Sequence, residues 1–153
     1  MAGFTNRGKK NMLAVVFQGG SIPGGGFAVF LATAASAPTA DTNVKSELTE
    51  ITAGNGYTAG GMNLTIGATD FDTLTEDDAT DRGYVRLKDV VWTASGGAIP
   101  ASGSGARYLV LTDKNATLAN REVWAWWDLG ADTAVGNGQA LTLADFEIRN
   151  NEG

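Results

Sequence analysis

Cysteine and histidine are both missing from this chain of 153 residues. Without cysteine there is no disulfide, no thiolate metal site and no cysteine nucleophile, and the redox compartment stays open. Without histidine, the one side chain that titrates near neutral pH unaided is gone. A Ser-His-Asp triad, a histidine-containing zinc site and a histidine general base are therefore excluded. Positive charge is scarce too: 11 Lys and Arg against 17 Asp and Glu leave a formal net charge of -6. Phosphate contact needs a basic surface, so no nucleic-acid partner is expected. The apolar runs stop far short of the roughly 20 residues that span a bilayer, and none follows a charged N-terminal region with a small-residue cleavage site. The expectation is a soluble protein with no export signal and no membrane partner.

What the chain does have is glycine, 21 residues of it, with only three prolines. That composition, with abundant Thr and Ala, suits short strands and tight turns better than a helical bundle. One domain of this length buries roughly 70% of the surface exposed by the unfolded chain. Its centre is predicted at Ala106 to Gly130, where apolar runs Tyr108 to Thr112 and Val123 to Leu129 flank the polar segment Asp113 to Arg121. Aromatic and β-branched runs around an Asn/Asp-rich connection read as a hairpin. Strict alternation puts Trp124 and Trp126 on one side, and Val123, Ala125 and Trp127 on the other. Both sides are apolar, so a central strand is expected.

Further strands are expected from Phe27, Leu48, Met62, Tyr84 and Gln139. Two of them change phase. Val85 and Leu87 share one parity and Val90 and Trp92 the other. Leu141 and Leu143 likewise differ from Phe146 and Ile148. A β-bulge near Lys88-Asp89 and another near Ala144 would restore one buried face in each. Asn43 to Ile51 fits either a short helix or a strand. The architecture predicted is all-β: an antiparallel β-sandwich of jelly-roll type with a short N-terminal helix or arm. Residues 1-20 form that arm and 21-153 the single sandwich domain.

The helix is expected within Met1 to Gly20, capped by Thr5 or Asn6 and stopped at Gly19-Gly20, with Leu13, Val16 and Phe17 as its apolar face. Arg7, Lys9 and Lys10 make its first half basic ahead of an acidic body. Such a segment either packs on its own sheet with a solvated basic face or docks on a neighbouring acidic surface. Ser21 to Gly26 lacks the Lys and Ser/Thr of a phosphate loop and reads as a linker. Asp70 to Asp81 is an acidic stretch without the glycine and bidentate glutamate spacing of an EF-hand. It is expected to be a solvated loop. No catalytic residue, metal ligand or cofactor site is assigned.

The order MAGFTNRGKK, a strand ending LATA, APTADTN, SELTEI, GNGYTAGG, VVWTASGG, a Gly/Ser loop, an apolar strand ending Thr-Asp, a Trp-rich strand and GQALTLADFEIR resembles a group of small tailed-bacteriophage virion proteins. These are known both as head decoration (cement) proteins and as tail-fibre proteins. The resemblance covers nearly the whole chain. Glu47 to Ile51 and Gly54 to Tyr57 match the group's acidic strand and its Gly-Gly-x-Tyr-like turn, with Asn55 interrupting the glycines. Trp92 matches the aromatic before the small-residue loop, and Trp124 to Trp127 match the Trp-containing strand.

The function this implies is structural. A decoration protein made in the host cytoplasm would bind the outer surface of the capsid. Its partners would be the major capsid protein and further copies of itself, a trimer among the possible homo-oligomers. Phe4, Arg7, Lys9, Lys10, Leu13 and Phe17 are the expected capsid or intersubunit contacts. Trp92, Trp124, Trp126 and Trp127 are core or interface aromatics. Deleting Met1 to Lys10 is expected to release the protein from particles without unfolding it. The competing readings are a tail-fibre or baseplate subunit, a carbohydrate-binding module stacking sugars on Trp124, Trp126 or Tyr57, and, weakest, a glycosidase using two acidic residues.

Overall fold

The computed structural model describes residues 2-151. Strands β1 (Ala2–Phe4), β2 (Phe27–Ala32), β3 (Met62–Leu64), β4 (Thr73–Asp77) and β5 (Arg82–Arg86) are followed by β6 (Val90–Thr93) and β7 (Ala106–Asp113). β8 (Val123–Thr133), β9 (Ala140–Leu143) and β10 (Glu147–Asn151) complete the set, and the one α-helix is α1 (Asn6–Gln18). The chain is all-β with a short N-terminal helix, as its composition predicts. A five-stranded sheet runs β1-β8-β7-β2-β3, a three-stranded sheet β10-β5-β4, and a two-stranded sheet β6-β9. Every pairing is antiparallel.

The hairpin predicted at the centre is there. β7 lies between β8 and β2, and β8 between β1 and β7. Its connection is tied by Asp113, whose carboxylate accepts the Asn115 N–H at 2.8 Å and the Glu122 N–H at 3.1 Å. One face of the large sheet, with Val29, Leu31, Leu109, Leu111, Ala125 and Trp127, shares a core with Leu87, Val90, Trp92, Leu141 and Leu143 of the smaller sheets and the link between β5 and β6. The opposite face buries Phe30, Ala32, Val110 and Val123 beside Leu48. Apolar residues on both faces of β2, β7 and β8 are what a doubly covered sheet requires.

Strict alternation fails in β8. Leu111 faces Ala125 and the next residue, Thr112, faces Val123, so Trp124 is an extra residue in the strand. This bulge puts Trp124 with Ala125 and Trp127 in the main core, and Trp126 on the opposite face packed near Val123. The expected grouping of Trp124 with Trp126 is thereby corrected.

The two bulges expected elsewhere are strand exchanges. Val85 pairs with Leu74 and Ile148 in the three-stranded sheet, whereas Val90 pairs with Leu143 in the two-stranded sheet. The phase breaks at Lys88-Asp89 and Ala144 are the points where the chain leaves one small sheet for the other. Asn43 to Ile51 forms a single 3₁₀ turn at Lys45–Glu47 and two isolated bridges, Val44 to Glu122 and Glu50 to Ala32, and the strand expected from Leu48 does not form. Asp70 to Asp81 is half strand: Thr73–Asp77 is β4, and Asp77 accepts from Ala79, Thr80 and Arg82 to close the hairpin to β5.

The N-terminal segment is part of the fold. β1 pairs with β8 through Ala2↔Trp127, Gly3↔Trp126 and Phe4↔Ala125. Residues 2-4 therefore complete the edge of the large sheet, and α1 follows directly from that edge.

Candidate interaction surface

Helix α1 begins and ends where its sequence says. The Thr5 hydroxyl caps it by accepting the Gly8 N–H at 2.8 Å, and Gly19 closes it in a left-handed conformation, with the Gly20 N–H donating to the Ala14 carbonyl. The helix is pinned at the β8 bulge. The Thr5 N–H donates to the Trp124 carbonyl at 2.9 Å, and the Thr5 hydroxyl donates to the Val123 carbonyl. Gly8 lies against the same place: a Cβ there would stand 2.3 Å from the Trp124 carbonyl oxygen. Arg7 and Asn11 both donate to the Glu122 carboxylate, Arg7 at 3.0 Å.

The face turned to the protein carries Gly8 and Asn11, with Met12 and Val15 partly buried against the core, while a second apolar strip is turned out. Leu13 is 53%, Val16 64% and Phe17 78% exposed. An ordinary surface helix buries its whole apolar stripe, whereas α1 leaves these three large side chains in solvent. Lys9 and Lys10 are exposed on the first half of the helix and have no ion-pair partner among the described residues.

Beside the helix an apolar cleft of about 620 Å³ opens between the three-stranded sheet and the large sheet. Leu74, Val85 and Ile148 are paired across β4, β5 and β10, so they share a face, and all three line the cleft. Phe27, Leu111 and Trp124 line its opposite wall, Ile66 and Phe71 its rim, and Met12 of α1 one end. Trp124 is edge-on to Phe27 at 5.0 Å between ring centroids, and its buried indole N–H has no partner. Leu74, at 83% exposure, stands at the open side. Glu76 on the same strand and Asp72 just before it bracket Leu74 two residues away, both exposed.

The other face of that small sheet is ionic. Glu147 accepts from Arg86 at 2.8 Å and from Arg149 at 2.9 Å, and these hydrogen bonds hold its carboxyl below the usual range. Midway along β8, the Arg107 fork on Asp128, at 2.6 and 3.2 Å, lowers that carboxyl in the same way. A second cavity of about 390 Å³ lies between β1, α1 and β10 and is lined by Phe4, Lys9, Met12, Trp127 and Glu147 among others.

The residues expected as contacts therefore separate. Leu13, Phe17, Lys9 and Lys10 face outward, Arg7 is committed to Glu122, and Phe4 is half-buried against the core. Trp92, Trp124 and Trp127 are buried, the last with its indole N–H on the Glu147 carbonyl at 2.9 Å, and Trp126 is half-buried. Tyr57 is buried as well. Sugar stacking needs an open aromatic face, which the buried Trp124 and Tyr57 do not offer. Among the described residues, no three carboxylates of Asp70 to Asp81 converge as a metal ion requires.

Sequence reasoning missed the cleft, whose walls come from strands far apart in the chain. It also missed a polar network under the SELTEI and GNGYTAGG motifs. Lys45 reaches Glu50 at 2.6 Å, and Glu50 also accepts from the Tyr57 hydroxyl and the Gly60 N–H, both at 2.7 Å. Gly61 follows at φ 71°, where a Cβ would meet the Val29 carbonyl at 1.9 Å. The motifs are the seam that lays this loop on β2.

Comparison with protein-family models, with curated proteins and with solved structures gives no match.

Proposed function

We propose that this chain is a structural virion protein of a tailed bacteriophage, a capsid decoration (cement) protein that binds the outer head surface and stabilises the assembled shell. The observation that carries this reading is the outward apolar face of α1, with Lys9 and Lys10 beside it. Apolar surface of this kind on a helix marks a place where another chain sits. The likeness of the motifs to phage virion proteins supplies the setting. A protein that binds only the assembled shell stabilises it by mass action, and many symmetric copies multiply weak contacts. Its partners are the major capsid protein and copies of itself.

Cryo-electron microscopy of the virions tests this directly. All-β density of this size repeated over the head surface is the expected result. Density confined to the tail would assign the chain to a fibre or baseplate instead, and its absence from the particle would overturn the structural role. Co-sedimentation of the purified protein with undecorated shells tests the same reading in solution.

A further inference from the structure

Two unpartnered apolar surfaces sit on this one chain, and they are complementary. The first is convex: Leu13, Val16 and Phe17 on the outside of α1, with Lys9 and Lys10 ahead of them. The second is concave: the cleft of about 620 Å³ rimmed by Ile66, Phe71 and Leu74, with Glu76 on β4 and Asp72 just before it flanking Leu74. Apolar surface meets apolar surface, and basic charge meets acidic charge. That arrangement sets register and excludes wrong partners.

The helix cannot fill its own cleft. Thr5, Gly8, Arg7 and Asn11 fix its inward side on β8 and Glu122. Of α1 itself, Met12 alone reaches the cleft, while Leu13, Val16 and Phe17 remain in solvent. A 13-residue helix is about 20 Å long, enough to lie along a groove of this kind.

We infer that the occupant of the cleft is α1 of a second copy of this chain, seated with Leu13, Val16 and Phe17 against Ile66, Phe71 and Leu74 and with Lys9 and Lys10 facing Asp72 and Glu76. Each copy carries both halves, so the contact closes either reciprocally in a pair or head-to-tail in a ring. For its place in a particle this inference rests on the assembly role proposed above. Its test needs no shell.

Light scattering behind size exclusion, with the whole chain, reads the outcome. The wild-type protein is expected at a multiple of the 15.8 kDa chain mass. Leu13→Ser with Phe17→Ser, and separately Ile66→Ser with Leu74→Ser, are each expected at the mass of one chain. All four positions are exposed, so the fold should tolerate the changes, and unchanged circular dichroism with a cooperative melt verifies that it does. In oligomers formed from light and isotope-labelled chains, a zero-length carbodiimide should join Lys9 or Lys10 of one copy to Asp72 or Glu76 of another.

A wild-type protein at single-chain mass would overturn the inference. So would either double variant keeping the wild-type mass, or oligomers whose cross-links bypass these residues. A wild-type chain that stays single and still binds shells removes this inference alone. Self-association without shell binding removes the decoration role and leaves the inference standing.

Discussion

The Tyr57 hydroxyl donates to Glu50 Oε1 at 2.7 Å and accepts the Leu31 N–H at 3.0 Å, so one buried oxygen joins the GNGYTAGG turn, the SELTEI segment and strand β2. Burial beside the Glu50 carboxylate pushes the phenol well above its ordinary pKa, which keeps it a neutral donor at every physiological pH. Tyr57→Phe preserves the ring that packs 5.6 Å from Trp92 and removes only the oxygen. Leu31 N–H then loses its partner in the core and Glu50 loses one donor. The expected cost is about 1–3 kcal/mol in urea denaturation, and a loss under about 0.5 kcal/mol would show that the network is dispensable.

Gly8→Ala should destabilise the protein, against the usual sign. In an exposed helix interior, alanine is favoured over glycine by about 0.5–1 kcal/mol. Here the added methyl would fall 2.3 Å from the Trp124 carbonyl oxygen and 2.7 Å from its Cα, both backbone atoms. The helix must lift from β8 and strain the Thr5 cap and the Glu122 contacts. A lower melting temperature for Gly8→Ala supports this packing, and a higher one contradicts it.

Caps and turns are the features legible in the local sequence. Thr5 and Gly19 bound the helix, and the Asp113 to Arg121 connection joins two central strands, because caps and turns are decided by neighbouring residues. Periodicity says less. A phase break at Lys88-Asp89 is equally the mark of a bulge or of a strand changing sheets, and only the distant partners Ile148 and Leu143 decide. The bulge at Trp124 leaves no mark in its own strand, since residues on both faces there are apolar. The spacing of Leu13, Val16 and Phe17 reports that the helix has an apolar face but not which way it points. Gly8 and Asn11 on the opposite side held the clue, as a small residue and a polar one at the point of closest approach.

Acid should weaken the fold through Glu147 and Asp128. Hydrogen bonds from Arg86 and Arg149 lower the first, and the Arg107 fork with the Gly130 N–H lowers the second. A carboxyl whose folded pKa lies below its unfolded value, about 4, contributes stability above that value and loses it as pH falls through the folded pKa. Melting temperature should therefore drop as pH goes below about 4. Asp113 acts with the opposite sign, because burial raises it and protonation relieves that cost. Glu147→Gln and Asp128→Asn should lower the melting temperature at pH 7 and converge on the wild type in acid. Parallel curves down to low pH would show that these ion pairs carry no pH-dependent stability.

Deleting residues 1-10 should damage the fold itself, so it cannot serve as a clean test of attachment. The deletion removes β1 from the edge of the large sheet, the Thr5 cap, the Gly8 contact and the Arg7–Glu122 pair. Loss of an N-cap alone costs about 0.5–2 kcal/mol. It also uncovers Trp126, whose ring lies against Gly3. Leu13→Ser with Phe17→Ser changes the same helix only where it meets solvent, and its effect on the stability of one chain should stay within about 0.5 kcal/mol. Urea denaturation of the two variants side by side separates the roles. A truncated chain that melts like the wild type would mean that the N-terminal strand and cap contribute nothing to the sheet. A large loss in the serine variant would mean that the outward face of α1 is packed within its own chain rather than waiting for another.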